Sequence, residues 1–97
     1  MAMAVFMTWP GVTAEQYEQL RQIVNWERDL PTGARFHVAA FDEHGAHITD
    51  LWATGEDFQR FVDERLMPGV AQVGIAGQPQ LDVIPAHAVF TPGFAEK

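Results

Sequence analysis

From Asp50 to Pro68 the chain reads Asp-Leu-Trp-Ala-Thr-Gly-Glu-Asp-Phe-Gln-Arg-Phe-Val-Asp-Glu-Arg-Leu-Met-Pro, and this stretch decides the fold. Its first residues are typical of a half-buried strand. Thr54 is suited to cap the helix that follows, with Asp57 in the place of a capping-box acid. The apolar residues of this helix recur at i, i+3, i+4 and i+8, namely Phe58, Phe61, Val62 and Leu66. We predict a strand leading into an amphipathic helix that Pro68 ends, with Trp52 at the joint.

Four ranges of the chain predict strands. Weak alternation of apolar residues indicates a first strand over residues 3–9. The ranges 35–41 and 47–53 flank a polar turn and predict a hairpin. A last apolar range, 80–90, predicts the fourth strand.

A second helix signal precedes the hairpin. Thr13, followed three residues later by Gln16, predicts a capped helix. The segment Pro31-Thr32-Gly33 is expected to end this part of the chain. A partial helical turn is expected over residues 70–73. The order β-α-β-β-α-β predicts a ferredoxin-like α+β fold, with two helices on one face of a four-stranded antiparallel sheet. We expect one domain over residues 1–97, with 91–97 as a tail.

Composition excludes several function classes. The chain of 97 residues has 6 basic and 13 acidic side chains and a net charge of −7, which disfavours nucleic-acid binding. It has no cysteine and no serine, which removes thiolate metal sites and both common nucleophiles. Its glycines match no nucleotide-binding loop. No apolar run approaches the ~20 residues that a bilayer requires, and no signal peptide is evident, so we expect a cytoplasmic location and no membrane partner.

The strands are apolar on both faces. In the second strand Phe36, Val38 and Ala40 alternate with His37, Ala39 and Phe41. Two helices cover only one face of a sheet, so the other face needs a partner. A second copy is the simplest partner, and we predict a homodimer that packs sheet against sheet.

These features resemble the dimeric α+β barrel superfamily, which includes the antibiotic-biosynthesis monooxygenase-like proteins. The resemblance is carried by Phe36-His37-Val38-Ala39, by Asp50-Leu51-Trp52-Ala53-Thr54, by the helix Phe58–Met67 and by residues 83–90. It covers nearly the whole chain and is similar in particular to a small bacterial subgroup. It implies several activities, because the superfamily includes cofactor-independent oxygenases, haem-degrading enzymes, cyclases, isomerases and non-catalytic proteins.

The haem-degrading branch of this superfamily does not match. Its pattern has an asparagine on the first strand, a tryptophan in the second helix and a histidine ligand after it. Here the first strand has no asparagine, Phe61 replaces the tryptophan, and Ala71 falls near the histidine position. Axial ligation of haem needs that imidazole, so no cofactor is expected.

His37, His87 and Asp50 are the candidate catalytic residues. Both histidines lie within apolar strands, where an imidazole is either a packed, hydrogen-bonded residue or a base or donor in a pocket. Asp50 is the acid within the hairpin strand and is suited to orient a histidine or to abstract a proton, or it forms an ordinary salt bridge. The three lack local metal-ligand spacing, and we expect no metal site.

Four aromatic residues are candidates for the wall of a substrate pocket: Trp52, Tyr17, Phe58 and Phe61. The alternative for each is plain core packing. Trp52, at the strand-to-helix joint, is expected at the pocket mouth.

Three functions remain open from sequence. The first is binding of a small apolar or aromatic ligand with cofactor-independent oxygenation of an aromatic, polyketide-like substrate. The second is a polyketide-type cyclase or isomerase. The third is a non-catalytic binding or interaction module with a packed interior, for which a structure without a cavity of roughly 300 Å³ beside Trp52 would be evidence.

Overall fold

A computed structural model describes residues 1–91 of the chain and confirms the predicted α+β architecture. All neighbouring strands are antiparallel, in the order β2-β3-β1-β4. The strands are β1 (Met3–Pro10), β2 (Ala34–Asp42), β3 (Gly45–Trp52) and β4 (Gln80–Pro85). This is the ferredoxin-like arrangement. Apart from Thr91, the predicted tail lies outside the described residues.

Helix α1 (Ala14–Val24) begins as its sequence predicts and ends earlier. Thr13 and Gln16 form the predicted capping box. The helix does not continue toward Pro31, because Asn25 adopts a left-handed conformation with φ of 59°. The Arg65 guanidinium then donates to the free carbonyl of Val24 at 2.6 Å. An unpaired carbonyl at a helix end thus obtains a donor from the neighbouring helix.

The second helix does not end at Pro68, contrary to the prediction. Helix α2 (Gly55–Phe61), capped by Thr54, passes into a π-helical turn (Val62–Leu66) and then into α3 (Met67–Val73). A proline within a regular α-helix lacks the N–H donor and clashes with the carbonyl four residues earlier. In the wider turn the Met67 N–H bonds to the Val62 carbonyl instead, which places Pro68 in the first turn of α3, where no donor is needed.

Strand β4 is shorter than the predicted range 80–90. It ends at Pro85, which has no N–H to donate, and the Ala86 N–H bonds to the Ala2 carbonyl at 2.8 Å. Residues 86–91 have no regular structure, so His87 does not lie in a strand.

The two faces of the sheet differ in how they are covered. The helices bury the face that carries Val5, Met7 and Trp9. The other face leaves apolar side chains open to solvent, with Phe6 46%, Val38 46% and Ile84 50% exposed. Among residues 1–91 no helix is long and apolar enough to cross a membrane.

The β2–β3 hairpin sets the position of the candidate site. Its register pairs His37 with Asp50 across the two strands. Arg35 is the extra residue of a bulge between Ala34 and Phe36. The turn is held by the Asp42 carboxylate, which accepts from the His44 and Gly45 amides at 2.8 and 3.3 Å.

Gly45 at the hairpin turn offers a test of this register. Its φ of +137° disfavours any side chain, and a Cβ there would overlap the Trp9 carbonyl oxygen. We expect Gly45→Ala to lower the free energy of unfolding by about 2–4 kcal/mol, measured by urea denaturation. The control is Gly55→Ala in α2, where an added Cβ meets nothing within 4 Å; this change is expected to be neutral or stabilising by up to ~1 kcal/mol. Equal effects of the two substitutions would contradict the strained turn.

Candidate functional site

A cavity of about 310 Å³ lies between the sheet and the helical layer. Apolar side chains form most of its wall. Every sequence-predicted site residue except His87 lines it, namely Tyr17, His37, Asp50, Trp52, Phe58 and Phe61. The cavity is of the size that small-molecule sites require.

Three side chains of the cavity wall form one hydrogen-bonded chain that begins at a buried carboxylate. Asp50 is only 7% exposed and accepts from two donors. Trp52 Nε1 donates to Oδ2 at 3.1 Å, and His37 Nδ1 lies 2.7 Å from Oδ1. On the other side of the imidazole, His37 Nε2 lies 2.7 Å from the Tyr17 hydroxyl. We call this chain the Tyr17–His37–Asp50 relay.

The partners of the imidazole fix where its proton lies. A carboxylate only accepts, so Nδ1 carries the proton that faces Asp50. Nε2 then has a free lone pair and accepts the hydroxyl proton of Tyr17. The imidazole is therefore arranged as a base, held in one tautomer by a carboxylate that would also stabilise the protonated form.

The Tyr17 hydroxyl remains neutral in this site. Burial raises the pKa of Tyr17 from its ordinary 10.0 to about 12, while the nearby Arg21 guanidinium opposes the shift. At neutral pH Tyr17 therefore has a proton to donate and oxygen lone pairs with which to accept another.

Aromatic rings pack around the relay, although the His37 side chain keeps 29% of its surface accessible. Trp26, just beyond α1, lies with its ring centroid 4.6 Å from that of His37. Trp52 contacts Phe58 and Phe61 with centroid separations of 5.6 and 5.2 Å. Trp52 is 3% exposed, so it forms a buried wall and not the pocket mouth that the sequence predicted.

His87 lies apart from the other candidates. It follows β4 and lines a groove on the outer face of the sheet with Phe6 and Ile84. The structure therefore does not bring His87 to the cavity, and its catalytic role stays a prediction. Within residues 1–91, no three histidine or acidic side chains converge on a common point where they could hold a metal ion.

Comparison with known proteins identifies the fold. No family model and no curated protein matches the chain. Solved structures match along nearly its full length, although identities are low. NE2512, a protein of unknown function from Nitrosomonas europaea, is 14% identical over 94% of both chains, with a TM-score of 0.72. SnoaB, a cofactor-independent oxygenase from Streptomyces nogalater, is 10% identical over 91% of this chain and 94% of its own, with a TM-score of 0.63.

A third structure carries a bound ligand. The monooxygenase from the gene ActVA-Orf6 of Streptomyces coelicolor, in complex with Nanaomycin D, is 16% identical over 93% of this chain and 91% of its own (TM-score 0.57). The chain has the fold of the antibiotic-biosynthesis monooxygenase-like proteins. Identities this low show the fold and leave the activity to be argued from the site.

Sequence reasoning missed two contributions to this candidate site. Tyr17 was expected only as an apolar wall, yet its hydroxyl ends the relay. The sequence could have indicated this contact, because Tyr17 carries a hydroxyl on the buried face of α1 and His37 lies on the face of β2 that the helices cover. Arg35 also lines the cavity, and nothing in the sequence reveals the bulge that places it there.

The single tyrosine of the chain makes the raised pKa measurable. Ultraviolet absorbance of the phenolate, followed against pH, should show ionisation of Tyr17 near 12 in the folded protein. The same titration in denaturant should return to the ordinary 10.0. Because the unfolded chain loses this proton first, the contribution of Tyr17 to stability is full below that value and is lost as pH rises toward the folded pKa. Ionisation at the ordinary value in the folded state would contradict a buried hydroxyl.

Proposed function

We propose that the cavity binds a flat, largely apolar ligand with an acidic proton, and that the chain is a cofactor-independent monooxygenase of an aromatic, polyketide-like substrate. The observation that carries this proposal is the Tyr17–His37–Asp50 relay, which opens on an apolar cavity. A base in a dry, aromatic-lined pocket is what such chemistry requires of a protein.

The relay supplies the base. A phenol or enol of the ligand that reaches the Tyr17 oxygen donates its proton there, while Tyr17 passes its own proton to His37 Nε2. The ligand becomes an enolate or carbanion, and His37 becomes an imidazolium that faces the Asp50 carboxylate. General-base catalysis of this kind contributes about 10²–10⁴-fold in rate.

Oxygen then reacts with the ligand without a redox group in the protein. The anion gives electrons to O₂ and forms a carbon–oxygen bond, and the peroxide anion takes back the proton from His37 through Tyr17, which gives a hydroperoxide and restores the base. The peroxide loses water, so a methylene plus O₂ becomes a carbonyl plus H₂O. The ligand supplies the electrons, and the protein supplies the base, the orientation and the exclusion of bulk water.

The two other functions differ in what the same cavity does. A cyclase or isomerase would use the relay without oxygen. A non-catalytic module with a packed interior is less well supported, because a cavity of about 310 Å³ lies beside Trp52 and contains a base oriented from both sides.

Oxygen consumption with anthrone as probe tests the proposal. The wild-type protein should consume one O₂ per anthrone oxidised. His37→Ala should lower kcat by about 10²–10⁴-fold because it removes the base. Asp50→Asn should have a large effect too, because an amide no longer fixes the tautomer. Tyr17→Phe should cost less, since Nε2 then faces the cavity directly.

The matched control is His44→Ala, which removes an exposed imidazole in the hairpin turn and should leave turnover unchanged. Loss of turnover in His87→Ala but not in His37→Ala would show that His87 is the base and would refute the role proposed for His37. Conversion of anthrone-like polyketides without oxygen consumption would favour the cyclase.

We also propose that the chain is a homodimer. The support is the outer face of the sheet, where Phe6, Val38 and Ile84 are about half exposed because no helix within residues 1–91 covers them. A second copy that packs the same face would remove this apolar surface from water.

Sedimentation at micromolar concentration should therefore show a dimer. Val38→Glu on the outer face should shift it toward monomer, because the dimer would have to bury a charge. Met67→Glu, on the exposed part of α3, is the control and should remain dimeric. A single monomer peak for the wild-type protein would refute the proposal.

A further inference from the structure

The bulge in β2 places a cation at the cavity. Arg35 is the extra residue between Ala34 and Phe36, and it lines the cavity together with His37. We propose that Arg35 binds an anionic group of the ligand, so that the cavity selects aromatic carboxylic acids. This rests on the proposed function in one respect, namely that the cavity binds an aromatic ligand.

The guanidinium of Arg35 is available for such a ligand. Three other arginines are engaged: Arg21 with Glu18 and Glu27, Arg60 with Asp57, and Arg65 with Val24. Arg35 makes no hydrogen bond or ion pair with any described residue, and it is exposed. Of the described residues that line the cavity, it is the sole permanent cation.

The distribution of charge argues that this cation serves a ligand. The chain carries a net charge of −7, and Asp50 is a buried carboxylate within the cavity wall. Both repel an anionic ligand, so an acid could enter only where a positive charge offsets them. An acidic side chain next to Arg35 would neutralise it, yet none among the described residues does so.

The same charges orient the ligand. Its carboxylate belongs with Arg35, which is exposed, and not with Asp50, which repels it. Its apolar rings then fill the aromatic-lined interior, and its reactive O–H faces Tyr17. A guanidinium suits this role because its planar donors match both oxygens of a carboxylate.

The bulge has a structural consequence that supports this reading. In a regular strand, Ala34 and Phe36 would share a face, and His37 would point away from Ala34. The extra residue shifts the alternation, so that His37 pairs with Asp50 on the cavity side and Arg35 also reaches the cavity. One irregularity therefore brings both the base and the cation to one site.

Calorimetric titration with 2-naphthoate and 2-naphthamide tests the proposal, since the two probes share rings and differ in charge. The wild-type protein should bind the carboxylate about three- to tenfold more tightly than the amide. Arg35→Ala should abolish this preference and leave amide binding unchanged. Arg35→Lys should restore part of it, because a lysine keeps the charge and lacks the planar fork. Added salt should weaken the preference of the wild-type protein.

The control is Arg28→Ala, which removes the same charge outside the cavity and should keep the wild-type preference. Equal binding of both probes by the wild-type protein, or a preference that persists in Arg35→Ala, overturns the role of Arg35 while the cavity remains a ligand site. Failure of both probes to bind overturns the ligand site itself, and the role of Arg35 with it.

Discussion

A carboxylate buried inside the domain is the constraint on which this structure depends. At 7% exposure the Asp50 carboxyl group has lost most of its water, and hydrogen-bond donors have to replace it. Trp52, two residues along the same face of β3, supplies one N–H, and His37 supplies the other across the hairpin. The loss of either would leave a buried acceptor unsatisfied, at about 1–3 kcal/mol. The strand register that satisfies Asp50 therefore also sets the geometry of the site.

The helices of the layer that covers the cavity are interrupted in two places. Helix α1 ends at Asn25, which lets Trp26 turn in over His37. On the opposite side, the π-helical turn lets the second helix bend past Pro68 without ending. Gly69 then packs directly on α1, since a Cβ there would lie 2.9 Å from Leu20 Cδ1.

Patterns of local origin were predictable from sequence. Both helix caps, the hairpin and the inward face that carries Asp50 and Trp52 follow from short-range rules, and the structure confirms them. The departures have non-local causes. Pro68 does not end the helix because a π-helical turn precedes it, and Pro85 ends β4, an edge strand, because it has no N–H to donate. The bulge at Arg35 shifts the pairing of β2 with β3 so that His37 lies opposite Asp50, and the local sequence pattern does not show this shift.

The raised pKa of Tyr17 bears on the direction of proton transfer in the proposed reaction. A tyrosinate would be a strong base, but burial keeps the hydroxyl protonated up to about 12, so Tyr17 does not store negative charge at neutral pH. Its oxygen can accept a proton only as it gives one up, so in the proposed reaction Tyr17 would transfer a proton from the ligand to His37. In the proposed reaction the charge that forms would lie on an imidazolium beside the Asp50 carboxylate, so the site would gain an ion pair and not an isolated ion. Under the proposed function, Asp50 would stabilise the positive charge that proton removal from an apolar ligand leaves on His37, which gives its costly burial a use.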